Sequence, residues 1–230
     1  MRKIQNLGDN RNKGSCVHCG GPNETRDHAP SVVFLDEPLP PDLPASPSCA
    51  ACNQGFSNDE AYVACLLECV MVGDANPALV QREKIAALMR GRPKLTAEIA
   101  ALKRYEDECV VFSFDQKRIE NVVLKLARCH VAYEMNEPRI DKPDGIWFQP
   151  FSLMAPEALD AFENDQNDVA VWPEVGSRGM HRLLIAEDNA FSEGWLDIQP
   201  GRYRFKVTVE SGLRVRMVLR EYLACEVHWN

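Results

Sequence analysis

Two cysteine pairs of the same form, Cys16-x2-Cys19 and Cys49-x2-Cys52, constrain this chain more than any other feature in it. Two residues between thiols let one tight turn present both sulfurs to one ion, and a second such turn completes a tetrahedral Zn²⁺ site. The segment they frame is rich in proline, with "DEPLPPDLPASPS" before the second pair, and poor in large apolar side chains. Proline is excluded from helix interiors and central strands, so this segment has few ways to build a core of its own. It is expected to fold around its metal. Gly20-Gly21 suits a turn in which backbone amides face the sulfurs. His18 lies inside the first knuckle, but four cysteines already close a structural site.

The other five cysteines read differently. Cys65 and Cys69 share a helix face lined by leucine and valine, and Cys109, Cys129 and Cys225 sit in apolar contexts, so all five are expected in the core. With nine cysteines in 230 residues, and an N-terminus that lacks the apolar core of a secretory signal, a cytoplasmic location with reduced thiols is expected. No apolar run approaches the ~20 residues of a membrane span. The net charge of −8 argues against nucleic-acid binding by overall charge alone. The distribution is uneven, however. Arg82, Lys84, Arg90, Arg92, Lys94, Lys103 and Arg104 face only Glu83 and Glu98 between residues 82 and 104, a stripe that reads as a solvated face and is also the best candidate for tracking a phosphate backbone. Arg202, Arg204, Lys206, Arg214 and Arg216 alternate along two candidate strands and would form a second basic patch if these pair.

Periodicity predicts an α+β chain: a small zinc-stapled module, then helices, then an antiparallel sheet. A helix is predicted from Asn58, capped by Asn58 or Ser57 and ended by Gly73, with others over residues 76–91 and 94–108. "CVVFSF" from Cys109 reads as a strand, and Ile119, Val122, Val123, Leu126, Ala127, His130 and Val131 mark a long amphipathic helix. His130 is expected to be a core histidine. Strands are predicted at "GIWFQPFSL", "DVAVWPEV", "HRLLIAED", "RYRFKVTVE" and "RVRMVLREYLACEVHW", with a hairpin turn at residues 210–212 and a short helix over residues 155–164. The expected organisation is a zinc module over residues 1–75, a basic helical connector over 76–108, and an α+β domain over 109–230.

Between and after the knuckles lie "TRDHAP" and "CAACN". A CxxC, an Asp-His followed closely by proline, then CxxC-Asn leading into a helix, resembles the zinc-containing branch of the HNH (ββα-metal) nucleases. The resemblance covers residues 16–62. It implies a β-hairpin stapled to a helix, with Asp27 as a ligand of a catalytic Mg²⁺ or Mn²⁺, His28 as general base, and Asn53 as amide ligand or as the residue that positions the base. "HAPS" departs from the pattern, in which two residues separate His and Pro and a lysine follows. The family's last histidine is also absent; Asp59 and Glu60 read first as acids of the opening helical turn, with assistance to the metal as their alternative role.

The chemistry suits these residue types. Phosphodiester hydrolysis needs an activated water, neutralised phosphate charge and a stabilised leaving oxygen. An imidazole, with an ordinary pKa of ~6.5, is a suitable base, and a hard divalent ion prefers oxygen ligands. Arg26 is placed to hold the scissile phosphate. The expected partner is nucleic acid, with DNA favoured over RNA, and a homodimer or partner protein is compatible with the acidic total. The alternative is a non-catalytic zinc module that binds nucleic acid or protein.

Overall fold

The structure, a computed structural model, describes residues 14–164, 176–185, 194–209 and 212–230. It is α+β, with three antiparallel sheets among the described residues. No helix among them is long and apolar enough to cross a membrane. The chain divides into two compact units, the described residues of Met1–Asn53 with Val123–Asn230, and Gln54–Val122. The domain boundaries expected at 75 and 108 both fall within the second.

The first unit opens with the hairpin of β1 (Thr25–His28) and β2 (Ala45–Ser48), in which Asp27 stands opposite Ser46 and His28 opposite Ala45. One residue after β2, α1 (Ala50–Val72) begins. It starts at the second knuckle rather than at Asn58. The Glu24 carboxylate, far away in sequence, accepts the Ala50 N–H at 2.9 Å and so supplies the cap that local propensity had assigned to Ser57 or Asn58. The end falls where glycine predicts it. Gly73 adopts a φ of +70°, and the Gly73 and Asp74 amides close back on Val70 and Cys69.

The Gln54–Val122 unit holds most of α1, then α2 (Glu83–Gly91), α3 (Pro93–Ala101), the hairpin of β3 (Lys103–Glu106) and β4 (Cys109–Phe112), and the start of α4 (Gln116–Glu134). Tyr62, Cys65, Cys69, Ile85, Met89 and Ile99 are fully buried. Cys65 and Cys69 therefore sit in the core as expected, and burial pushes both thiols up to about 12. Two sequence expectations fail here for local reasons. The helix predicted from Asn76 starts only at Glu83, because Asp74 and Asn76 side chains accept the Asn76 and Ala78 amides in successive turns. The helix predicted to residue 108 stops at Ala101, because Lys103–Glu106 pairs with β4 through Asp107 and Glu108, both at positive φ. Cys109 lies on that hairpin and is exposed, not in the core.

The first unit resumes with the rest of α4, then β5 (Gly145–Pro150), α5 (Pro156–Asn164), α6 (Arg178–Ile185), β6 (Leu196–Gln199), β7 (Tyr203–Val209), β8 (Leu213–Leu219) and β9 (Leu223–Trp229). The sheet order is β5-β9-β8-β7-β6, all antiparallel. α4 covers one face. His130 is stacked on Phe205 at 3.8 Å between centroids and its Nε2 meets the Tyr203 hydroxyl at 2.7 Å, so it is the core histidine expected. α5 covers the other face, where Phe162 packs with Trp195, Val218 and Ala224. Residues 181–185 of "HRLLIAED" belong to α6 and not to a strand, whereas "DVAVWPEV" and residues 186–188 lie outside the described residues. β6 escaped the sequence reading.

β7 and β8 pair as the predicted hairpin, and Gly212 begins the return strand at a φ of +135°. A Cβ there would lie 2.4 Å from the Trp229 carbonyl oxygen. Gly212→Ala is therefore expected to lower stability by about 2 kcal/mol through strain and a backbone clash, read as a drop in the urea midpoint at constant m-value.

Candidate functional site

The first knuckle is built by the backbone before any metal is considered. Cys16 N–H donates to Gly21 O at 2.8 Å and Gly20 N–H to Cys16 O at 2.9 Å, with Gly20 at a φ of +73°. The Val17 N–H donates to Pro47 O at 3.0 Å and moors the turn to β2. The second knuckle is the entry to α1. The result brings one thiol from each of Cys16, Cys19, Cys49 and Cys52 within 4.8 Å of the others. Cys19 and Cys49 sulfurs are 3.8 Å apart. That matches the edge of about 3.8 Å in a tetrahedron with Zn–S bonds of about 2.3 Å.

The electrostatics call for a cation. Burial pushes the Cys16 thiol up, but the amides of Cys49, His18 and Cys19 outweigh it and bring the thiol down to about 6. Burial and the neighbouring cysteines drive the Cys52 thiol well up. Thiolates packed this closely repel one another, and a divalent cation held among them would offset that repulsion. The cluster can thus hold a metal ion such as zinc. Arg128 of α4 adds a brace, donating to His18 O at 3.2 Å and to Ile140 O and Asp141 O at 2.9 Å each.

The Asp27-His28 pair is split by strand alternation. Side chains on β1 point alternately to opposite faces, leaving Arg26 exposed, Asp27 buried and His28 half-buried. His28 Nδ1 lies 3.1 Å from the Pro44 carbonyl oxygen. A carbonyl only accepts, so Nδ1 carries the ring proton of the neutral form and Nε2 keeps its lone pair. Asn53, at the start of α1, donates from Nδ2 to Thr25 Oγ1 at 3.1 Å and to Arg26 O at 3.3 Å. Its side chain thus braces the hairpin against the helix.

Asp27 turns into the core instead. Its Oδ1 meets Lys125 Nζ at 2.6 Å and its Oδ2 meets His18 Nε2 at 3.2 Å. Burial pushes this carboxyl up, but His18 and Lys125 outweigh it and hold it below the usual carboxylate range. Both oxygens are engaged on the face opposite His28, so the structure does not bring Asp27 and Asn53 together around one ion. Sequence reasoning missed Lys125, which sits in a helix almost a hundred residues away, and the one signal for it was a lysine on the apolar side of that helix. Asp59 is engaged as well, with Arg118 Nε at 3.0 Å and Asn121 Nδ2 at 2.7 Å.

The basic surfaces expected from sequence are neutralised in part, and Arg92, Lys94 and Arg104 of the first stripe stay exposed. Arg82 is buried against Glu68 at 3.3 Å, Lys103 pairs with Asp74 at 2.6 Å, and Arg90 pairs with Glu83. In the sheet, Arg204 binds Glu163 and Glu221, Arg216 binds Glu226, and Arg202 binds Asp36. Lys206 and Arg216 are buried beneath α5, with Lys206 Nζ 5.1 Å from the centre of the Trp195 ring and Arg216 over Phe162. Strand pairing does align Arg204, Lys206, Arg214 and Arg216 on one face, but that face is an inner layer and not an open patch.

Comparison with family models, curated proteins and solved structures returns no match to this chain.

Two outcomes follow from this geometry. The purified protein is expected to carry one equivalent of zinc by elemental analysis, and Cys49→Ser to lose both the metal and the hairpin's circular dichroism signature. Because the Asp27 carboxyl titrates lower in the folded chain than in the unfolded one, its contribution to stability is complete above an unfolded value of ~3.9 and disappears as pH falls through the folded value. The gap in urea midpoint between wild type and Asp27→Asn should therefore narrow on acidification from about pH 6 to pH 2.

Proposed function

We propose that this chain is a nuclease of the HNH type, hydrolysing phosphodiester bonds in nucleic acid, with DNA as the substrate class and His28 as the general base. The observation that carries this reading is the contact between His28 Nδ1 and the Pro44 carbonyl, which fixes the tautomer and presents Nε2 as the proton acceptor. The β-hairpin, the helix that follows it and the four-thiol cluster between them support it. In this scheme Nε2 takes a proton from the attacking water. Arg26, exposed and two residues before His28 on the same strand face, supplies charge for the phosphate.

The catalytic Mg²⁺ or Mn²⁺ that the resemblance implies would supply a Lewis acid for the phosphate and the leaving oxygen. Asp27 and Asn53 do not fit as its ligand pair. Both Asp27 oxygens face Lys125 and His18 in the interior. A second reading follows from the same observation. A carboxylate committed to a buried ion pair favours a non-catalytic zinc module that binds nucleic acid or protein, and the paired arginines of the sheet agree with it.

Incubation of supercoiled plasmid with the zinc-loaded protein, with Mg²⁺, with Mn²⁺ or with neither, separates the two. Nicking by wild type and a loss of about 100-fold or more in His28→Ala are expected for the nuclease. Equal nicking by both proteins, or none under any condition, sinks it and leaves the zinc module.

A further inference from the structure

The loop after His28 is held from behind by two buried cations. Lys125 of α4, whose side chain is fully buried, places Nζ 2.6 Å from Asp27 Oδ1, 2.6 Å from Ser31 Oγ and 3.0 Å from the His28 carbonyl oxygen. Three acceptors match the three donors of an ammonium group. Arg178 of α6, also buried, donates from Nε to Asp42 O at 3.1 Å and from Nη2 to Ala29 O at 3.5 Å. Asp42 in turn is gripped through its carboxylate by Arg182 at 2.8 Å. Ala29 follows His28 directly, and Asp42 lies two residues before Pro44, the acceptor of the His28 ring. The chain that carries the ring and the chain that carries its acceptor are therefore each tied to cations from the C-terminal half.

Buried cations are an expensive way to fill space. A lysine without partners in the interior costs several kcal/mol, and apolar side chains of similar volume often stabilise as well or better. What a charged, multiply bonded group adds over an apolar one is direction: its bonds admit one backbone course through the loop. A base that must sit within hydrogen-bonding reach of its substrate has use for that constraint, since small misplacements lower rates steeply.

We propose that Lys125 and Arg178 are positioning residues for His28: acting through backbone carbonyls and Asp27, they fix the loop so that the His28 ring keeps its Nδ1–H on Pro44 and its Nε2 free to accept a proton. Resting on the reading of His28 as the base, this gives α4 and α6 a role in the same site. It also makes Asp27 a member of the support and not of the reacting centre.

The experiment uses the full-length, zinc-loaded protein with uniform ¹³C and ¹⁵N labelling. The double variant Lys125→Met/Asp27→Asn removes both charges together, so that neither is left buried alone. In wild type a single Nδ1–H tautomer of the neutral His28 ring is expected in long-range ¹H–¹⁵N spectra. In the folded double variant that tautomer is expected to give way to a mixture, with kcat on plasmid falling about 100-fold while KM changes little. A folded, zinc-bound double variant with an unchanged tautomer, or with an unchanged kcat, overturns the proposal. If the double variant does not fold, the wild type decides. A scalar coupling across the hydrogen bond from Lys125 Nζ to the His28 carbonyl carbon supports the proposal, and its absence overturns it. Should wild type cleave nothing, the base reading fails while the tautomer measurement, repeated in Arg178→Met/Asp42→Asn, still decides whether the two cations position the ring.

Discussion

A carboxylate carried into a protein interior must bring its counter-charge with it, and in this chain that requirement links the N-terminal hairpin to α4. Strand alternation sends Asp27 inward once Arg26 and His28 face the other way. Lys125 and His18 answer it, and Lys125 goes on to bind the His28 carbonyl and Ser31. His18 lies within the first CxxC turn, so the same carboxylate also reaches the four-thiol cluster from behind. Removing Asp27 or Lys125 alone would leave the other's charge buried without its counter-charge.

The four-thiol cluster and the ion-pair cluster divide the work of a hairpin that has little apolar surface of its own. The four thiols fix where the hairpin meets α1, with Glu24 capping the helix and Asn53 bracing it against β1. Behind the strands, Val17 and Ala29 join Cys129 and Ala132 of α4 in a small apolar cluster. The C-terminal half is therefore structurally continuous with the hairpin and not an appended domain.

Much of the fold was legible in the residues. The two CxxC pairs implied one metal cluster, and the helical spacing of Ile119 to Val131 located α4 with His130 in its buried face. The glycine at 73 marked a helix end, and the alternation after Tyr203 marked two paired strands. What was not legible depended on distant partners. Glu24 moved the start of α1, cross-strand pairing turned residues 103–106 from helix to strand, and acids from α5 and β9 closed over a row of arginines that alone reads as an open basic patch.

The sequence by itself determined the chemistry available: four thiols at metal-binding spacing, an imidazole beside a carboxylate, and an amide at the head of a helix. Only the tertiary structure decided which way each group faces. Adjacent residues on a strand lie on opposite sides of it, so Asp27 and His28, neighbours in the chain, are separated by the strand itself. One is enclosed with a lysine almost a hundred residues away, and the other is half-buried with its proton committed to Pro44. Spacing can bring groups into proximity, but the burial of one and the exposure of the next depend on what packs against each face, and that is settled by residues the local sequence does not contain.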